Sequence, residues 1–592
     1  MSGSPHRPLP FLAMLLTIAC SLAAWGEEGL LERLPARDTL LCFRVDVGRA
    51  LRKARENVLF IDEEAGGRLV SEVQNLYGLV RELGARYDFR PQLLEDIAEV
   101  RAFLVVMRRD EPVPATDARP PLYFRRSLVV ETDEATATDF LQQFEQSFRR
   151  FARSAWPDRR LKLRRLSVTR GDLLAIDGSS ATLGTVGGYL VLSKGKPVEL
   201  WRALTENTAE VPPAGLLQED GELPGLGGLL NLRCFFRTLR KGLEWRVERA
   251  AEEAEERQGD AWNPWQAAHD RAKRSLESFR AVERLLNLDR LEWLGLAAGG
   301  VVTQDASTRR MRLVLTYESP ISGLLTELLN GSGEFAVPGF LPEESGAVTA
   351  RMDLKSILAQ TEGTALQLPL PEETLRSLLG VTTDRILEVL TPDFYVTFDL
   401  DLQSFGVVLG VRDLAAAGEL LGTMAAADGS LVTRHTWQQH DLYCLNAEAE
   451  NPVTAALRDR YLILGTRQHV TDMLDRAEGE GRLAALARDN PRANIIMLLP
   501  GPFREELQRA MQGYAEGPLS PFGRLLAGIR SLDLGLEDAE VEDEIKESLQ
   551  NLARAAQAVQ QAQYEMTRPA TVVIGRHGGD QYEMRATSEV RK

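Results

Sequence analysis

The chain has 592 residues, 44% of them hydrophobic and 26% charged. That is enough apolar side chain to build large cores, so bulk disorder is excluded. Seventy basic against 86 acidic residues leave a formal charge of −16. This argues against a general nucleic-acid binder, whose affinity comes from neutralising phosphates, and against an anionic membrane surface as partner of the whole protein.

Leu9 to Trp25 is the only long apolar run. It lies at the short limit for a spanning helix, and Ala24-Trp25-Gly26 places small residues at −3 and −1 of a cut before Glu27. This predicts a secretory signal peptide over 1–26, with Arg7 as the one fixed side-chain charge of its n-region. Two alternatives stay open: lipidation of Cys20 in Thr17-Ile18-Ala19-Cys20, and retention of the segment as an anchor. The expected location is extracytoplasmic, in the periplasm or secreted, with no transmembrane segment after cleavage. Cys20, Cys42, Cys234 and Cys444 are the four cysteines. Cleavage removes Cys20 or leaves it lipidated. The three that remain allow at most one disulfide, and buried free thiols are the expected state.

After the signal, Thr39 to Val45 reads as a strand, followed by a helix from Gly48 and helical pattern over 70–83 and 92–98. Strands are predicted over 102–107 and 122–131, joined by the Pro-rich loop 110–121. A helix over 135–151 leads to three strands at 161–169, 173–176 and 188–192, and a helix starts near Val198. Leu243, Val247, Ala250 and Ala254, then Trp265, Ala268, Ala272, Leu276, Phe279, Val282 and Leu286, step at helical spacing. They predict a helical hairpin over about 237–288, turning near Gly259 to Pro264. Its outer face carries Glu248, Glu252, Glu253, Glu255 and Glu256, a solvated acidic surface.

Several segments recur in order. Arg44-Val45-Asp46-Val47 with Leu51 recurs as Arg351-Met352-Asp353-Leu354 with Leu358; 132–141 recurs as 412–421, 172–177 as 441–446, and 189–193 as 461–465. This predicts duplication: a first domain over 27–330, a Gly- and Pro-containing linker over 331–346, and a second domain over 347–592 with a long helix at about 538–566. Hairpin-linked strands interrupted by amphipathic helices predict an α+β fold: two tandem, mainly antiparallel sheet domains with helices on one face of each.

Candidate sites are few. Asp46, Asp353, Asp133 and Asp413 each stand where a helix begins, which an N-cap explains. His435, His440 and Cys444, with His469 further on, are the densest group of soft ligands. A turn at 439–441 would set His435 opposite Cys444, but the spacing fits no standard zinc pattern and the first copy has Leu166, Gly171 and Ala175 instead. Ser193-Lys194-Gly195-Lys196 has Ser-x-x-Lys spacing without the companion motifs of serine acyltransferases. Gly184, Gly187 and Gly188 lack the Gly-Lys-Ser/Thr ending of a phosphate loop, and Ser179-Ser180 lacks a nucleophile elbow. Neither a cofactor nor a metal is expected. Trp262 and Trp265, at the hairpin tip, are the candidate partner contacts, Trp265 in register with the apolar stripe and Trp262 in the loop.

Leu34-Pro35-Ala36-Arg37-Asp38-Thr39, the strand with Val45, and the paired segments beginning at Tyr189 and Tyr461 resemble large exported bacterial proteins that carry a duplicated domain of unknown function. The resemblance implies export and a repeated α+β fold, and it carries no activity or functional residues. The expected function is a non-enzymatic binding or scaffold protein of the cell envelope. Its rivals are an envelope hydrolase with an unrecognised carboxylate pair and a carrier of an apolar ligand.

Overall fold

The structure is a computed structural model that describes residues 30–46, 62–86, 88–91, 101–113, 122–155, 162–176, 181–206, 210–218, 226–256, 264–302, 306–318, 337–342, 346–351, 380–398, 405–427, 431–449, 452–479, 481–499, 570–576 and 581–591, with scattered positions at 52–60, 93, 355–359, 376 and 543–558. The predicted signal peptide with Cys20, Ser179-Ser180, Asp353 and Trp262 lie outside the described residues.

In chain order the first half contains β1 (Thr39–Val45), α1 (Glu63–Arg86), β2 (Arg101–Val113), β3 (Leu122–Glu131), α2 (Glu134–Ala155), β4 (Leu163–Leu166), β5 (Asp172–Ile176), β6 (Ala181–Val186), β7 (Tyr189–Lys194) and α3 (Val198–Thr205). It continues with β8 (Leu226–Asn231), α4 (Leu232–Glu256), α5 (Pro264–Leu286), β9 (Leu291–Val302) and β10 (Ala306–Tyr317). The second half contains β11 (Gly346–Arg351), α6 (Thr383–Val389), β12 (Leu390–Phe398), β13 (Phe405–Val411), α7 (Leu414–Ala426), β14 (Val432–Trp437), β15 (His440–Leu445), β16 (Val453–Arg458) and β17 (Tyr461–Thr466). It ends with α8 (Arg467–Asp475), α9 (Arg482–Asp489), β18 (Ala493–Leu499), β19 (Ala570–Arg576) and β20 (Gln581–Arg591). Described residues between 543 and 558 are helical and precede β19, as α4 and α5 precede β9.

All these strands join one 20-stranded sheet. Its order is β4-β5-β6-β7-β3-β2-β1-β8-β9-β10, then β20-β19-β18-β11-β12-β13-β17-β16-β15-β14, and every pairing is antiparallel. The expected α+β class with a mainly antiparallel sheet holds. The expectation of helices on one face does not.

Successive strand residues point to opposite faces, and in both halves both faces are covered. Val129, Leu173 and Val191 pack with Leu200, Trp201 and Leu204 of α3. Their neighbours Val130, Leu174 and Leu190 pack with Phe140, Phe144 and Phe148 of α2 on the other side. In the second half Val408, Leu442 and Ile463 meet α8 and α9, while Leu409, Tyr443 and Leu462 meet α6 and α7. Phe340 and Leu341, within the stretch read as a linker, are buried in the α8–α9 core.

The helical hairpin begins at Leu232, earlier than its sequence pattern predicts, because the first turn of α4 follows β8 without a loop. Its foot packs on the sheet through Leu232, Phe236, Val282 and Leu286, beside the stacked rings of Tyr317 and Tyr582. Further out, α4 and α5 cover each other, with Arg280 bonded to Glu244 at 2.9 Å across the pair. Leu243, Val247 and Ala250 are therefore only half-buried. No helix among the described residues is long and apolar enough to cross a membrane.

Candidate functional site

At the foot of α4 the structure forms a recess of about 630 Å³. It is lined by Ala36 and Arg37 ahead of β1, Arg108 of β2, Phe124 of β3, Glu210, and Glu292 and Trp293 of β9. The end of β8 contributes Asn231, and α4 contributes Arg233, Cys234, Arg237, Thr238 and Lys241. The α4 residues recur at three- and four-residue spacing, which sets Arg233, Arg237 and Lys241 along one side of the helix. Asn231 fixes where that side points. Its side-chain oxygen accepts from the Cys234 amide at 2.9 Å, and its amide donates to the Ala36 carbonyl at 3.0 Å. One side chain thus caps α4 and ties it to the segment entering β1.

Among the described residues five cations and two carboxylates line the recess, in a chain whose net charge is −16. Arg37 pairs with Glu210 at 3.1 Å, and Arg233 pairs with Glu318 at 2.7 Å and Glu292 at 3.6 Å. Among the described residues no carboxylate pairs with Arg108 or Arg237, and both are exposed. The Cys234 thiol is half-buried, and burial pushes its pKa up against the opposing pull of Arg237 and Arg108. Burial thus makes it a weaker nucleophile than a fully exposed cysteine. The described lining contains no histidine and no close carboxylate pair. It can hold an anion by charge-assisted hydrogen bonds, and it suits an apolar ligand poorly.

The residues singled out by sequence fall elsewhere. Asp413 accepts from the amides of Ala415 and Ala416, and Asp133 from the amide of Thr136, so both are N-caps. The Thr136 hydroxyl and amide also hold the Asp133 carboxyl below the usual aspartate range. Asp413→Ala and Asp133→Ala should each cost about 1 kcal/mol in urea unfolding. The Asp133 part is present above the ordinary aspartate pKa and lost as pH falls through the depressed value. Wild type and Asp133→Asn should therefore converge in stability on acidification. Arg44 pairs with Asp46 at 3.4 Å, and Arg351 with Asp393 at 3.3 Å.

The β14–β15 turn falls at Gln438-Gln439, so Thr433 faces Cys444 and His435 faces Leu442. The expected opposition of His435 and Cys444 is thus off by two residues along β15. His435 is exposed and Cys444 buried, while His469 is buried against the Thr397 hydroxyl at 2.7 Å. Among the described residues no group of three or more His, Cys, Asp or Glu could hold a metal ion. Cys42, Cys234 and Cys444 are free thiols, and burial pushes Cys42 up to about 12. Ser193 is buried on β7 and hydrogen-bonds Ser127 at 3.0 Å, while Lys196 donates to the Ser167 carbonyl at 2.9 Å. That serine and lysine do not meet as nucleophile and base. Trp265 is half-buried at the start of α5.

Sequence reading missed the recess. Its signal is the basic spacing Arg233, Arg237, Lys241, which begins ahead of the predicted hairpin and is completed by residues distant in sequence. No family model, curated protein or solved structure matches this chain.

Proposed function

We propose that the chain is an exported, non-catalytic binding or scaffold protein of the cell envelope, made of two copies of one α+β unit, with the α4–α5 arm and the recess at its foot as its contact region. The carrying observation is the arm itself. Among the described residues it holds to the sheet at its foot, leaves Phe235 and Leu239 about 40% exposed one helical turn apart, and opens onto a recess whose described lining is rich in cations.

Support for two copies comes from the strand order, in which adding ten to each label of β1–β10 reproduces the pairing of β11–β20. The four recurring sequence segments stand at the ends of β1 and β11, across the starts of α2 and α7, on β5 and β15, and on β7 and β17. Following the registers from Phe43 and Ala350 outward makes Leu313 the counterpart of Met584. These two residues face each other where β10 meets β20, as a two-fold relation between copies requires.

Export is carried by the segment 1–26. Native mass spectrometry of the protein taken from its own envelope fraction tests the reading. The expected species begins at Glu27, or at a diacylglycerol-modified Cys20, and carries a bound ligand or second subunit. A bare, full-length chain recovered from the cytosol would sink it.

A further inference from the structure

Resting on the reading of a binding protein, we propose that the recess at the foot of α4 binds a small ligand carrying two or more negative charges, with Arg108 and Arg237 as direct contacts and Lys241 beside them. The argument is electrostatic. Arg37 and Arg233 already have carboxylate partners, whereas Arg108 from the sheet and Arg237 from the helix converge on the same space without one among the described residues. Like charges held together raise the energy of the empty recess, and an anion that bridges them removes that repulsion. A single charge satisfies one guanidinium, whereas two charges on one small ligand satisfy both. A guanidinium fork matches the paired oxygens of a phosphate or a carboxylate. The surrounding chain is strongly acidic, so a large polyanion is repelled at distance while a small one enters the locally positive recess. Asn231 fixes the wall that carries Arg237 before any ligand arrives, so little ordering remains to oppose binding.

Cys234 supplies a built-in reporter, because it lines the recess while Cys42 and Cys444 are buried in the cores. A bound anion blocks access to the thiol and offsets the cations that favour its thiolate. Alkylation of Cys234 by iodoacetamide, followed by peptide mass mapping of the full chain, should slow by about tenfold in saturating inorganic pyrophosphate or citrate. It should not slow in glucose. The protection should weaken as NaCl rises from about 50 to about 300 mM. Protection by pyrophosphate alone assigns a phosphate ligand, and by citrate alone a polycarboxylate.

Arg237→Gln and Arg108→Gln should each abolish protection while leaving the unfolding curve unchanged, whereas Arg271→Glu, exposed on α5 away from the recess, should retain it. Unaltered alkylation with both anions, or equal protection in Arg237→Gln, overturns the proposal and leaves the binding-protein reading to stand on its envelope partner. Pyrophosphate that protects Cys234 but is split to orthophosphate, followed by phosphorus NMR, upholds the site and overturns the non-catalytic reading.

Discussion

Replacing Glu583 with alanine should destabilise the protein by about 3–5 kcal/mol in urea unfolding. Glu583 lies on β20, its side chain 6% exposed, and pairs with Arg312 on β10, itself 13% exposed. Arg585 adds bonds at 2.7 and 3.2 Å. Burial pushes the Glu583 carboxyl up, but Arg585 and Arg312 outweigh it and hold the group below the usual glutamate range. Arg312 also donates to the carbonyls of Leu216 at 3.3 Å and Gln218 at 2.8 Å, which fixes its guanidinium in place. Alanine at 583 therefore leaves a largely buried cation without its counter-charge, which costs far more than the pair contributes when intact. The double variant Glu583→Leu with Arg312→Met should recover most of the loss, because no charge is then stranded. The carboxylate's contribution is present above the ordinary glutamate pKa and lost as pH falls through the depressed value. A loss below about 1 kcal/mol in Glu583→Ala would refute this account.

Trp201→Ala should cost about 3–5 kcal/mol by leaving a cavity in the core beneath α3. The indole is 5% exposed, and its N–H donates to the carbonyls of Thr169 and Arg170, each at 3.0 Å. Two glycines make room for it. A Cβ on Gly184 would stand 2.9 Å from the ring, and Gly171, at a φ of +103°, would bring one within 2.1 Å of the Thr185 carbonyl oxygen. Trp201→Phe keeps most of the apolar surface but leaves those two carbonyls unpaired, so its expected cost is about 1–3 kcal/mol. Thermal unfolding that ranks wild type, phenylalanine and alanine in that order checks both terms. An equal loss for the two variants would mean that the hydrogen bonds, and not the volume, hold the turn.

The local elements were legible because they depend on local signals. Asp133 and Asp413 mark the starts of α2 and α7 as caps should. The layer arrangement was misread, although its signal is present in sequence. Leu190-Val191-Leu192 and Leu462-Ile463-Leu464 are apolar without alternation, the mark of a strand covered on both sides. Reading them as hairpin strands with one wet face leaves no place for the second helical layer. β6 is absent from the strands predicted by sequence because Gly184 interrupts its apolar pattern, whereas the residue lies mid-strand under Trp201. The recess was illegible for another reason. Arg108, Arg237 and Glu210 meet only once β1, β2, β8 and β9 are side by side, and no spacing along one segment encodes that.

β20, the last described strand, completes the middle of the sheet rather than its edge. Arg312 and its partner Glu583 are 271 residues apart, so β10 is synthesised long before β20 can cover it. During translation the N-terminal half must wait with an open ladder of amides and carbonyls, the condition under which sheet proteins join one another wrongly. Arg310 and Arg312 put charge on that waiting strand, and charge is what discourages such pairing. In the finished molecule the ends of the described sheet are β4, with exposed Arg164 and Arg165, and β14, with exposed Arg434. The hazard is therefore confined to the interval between making the first half and finishing the second.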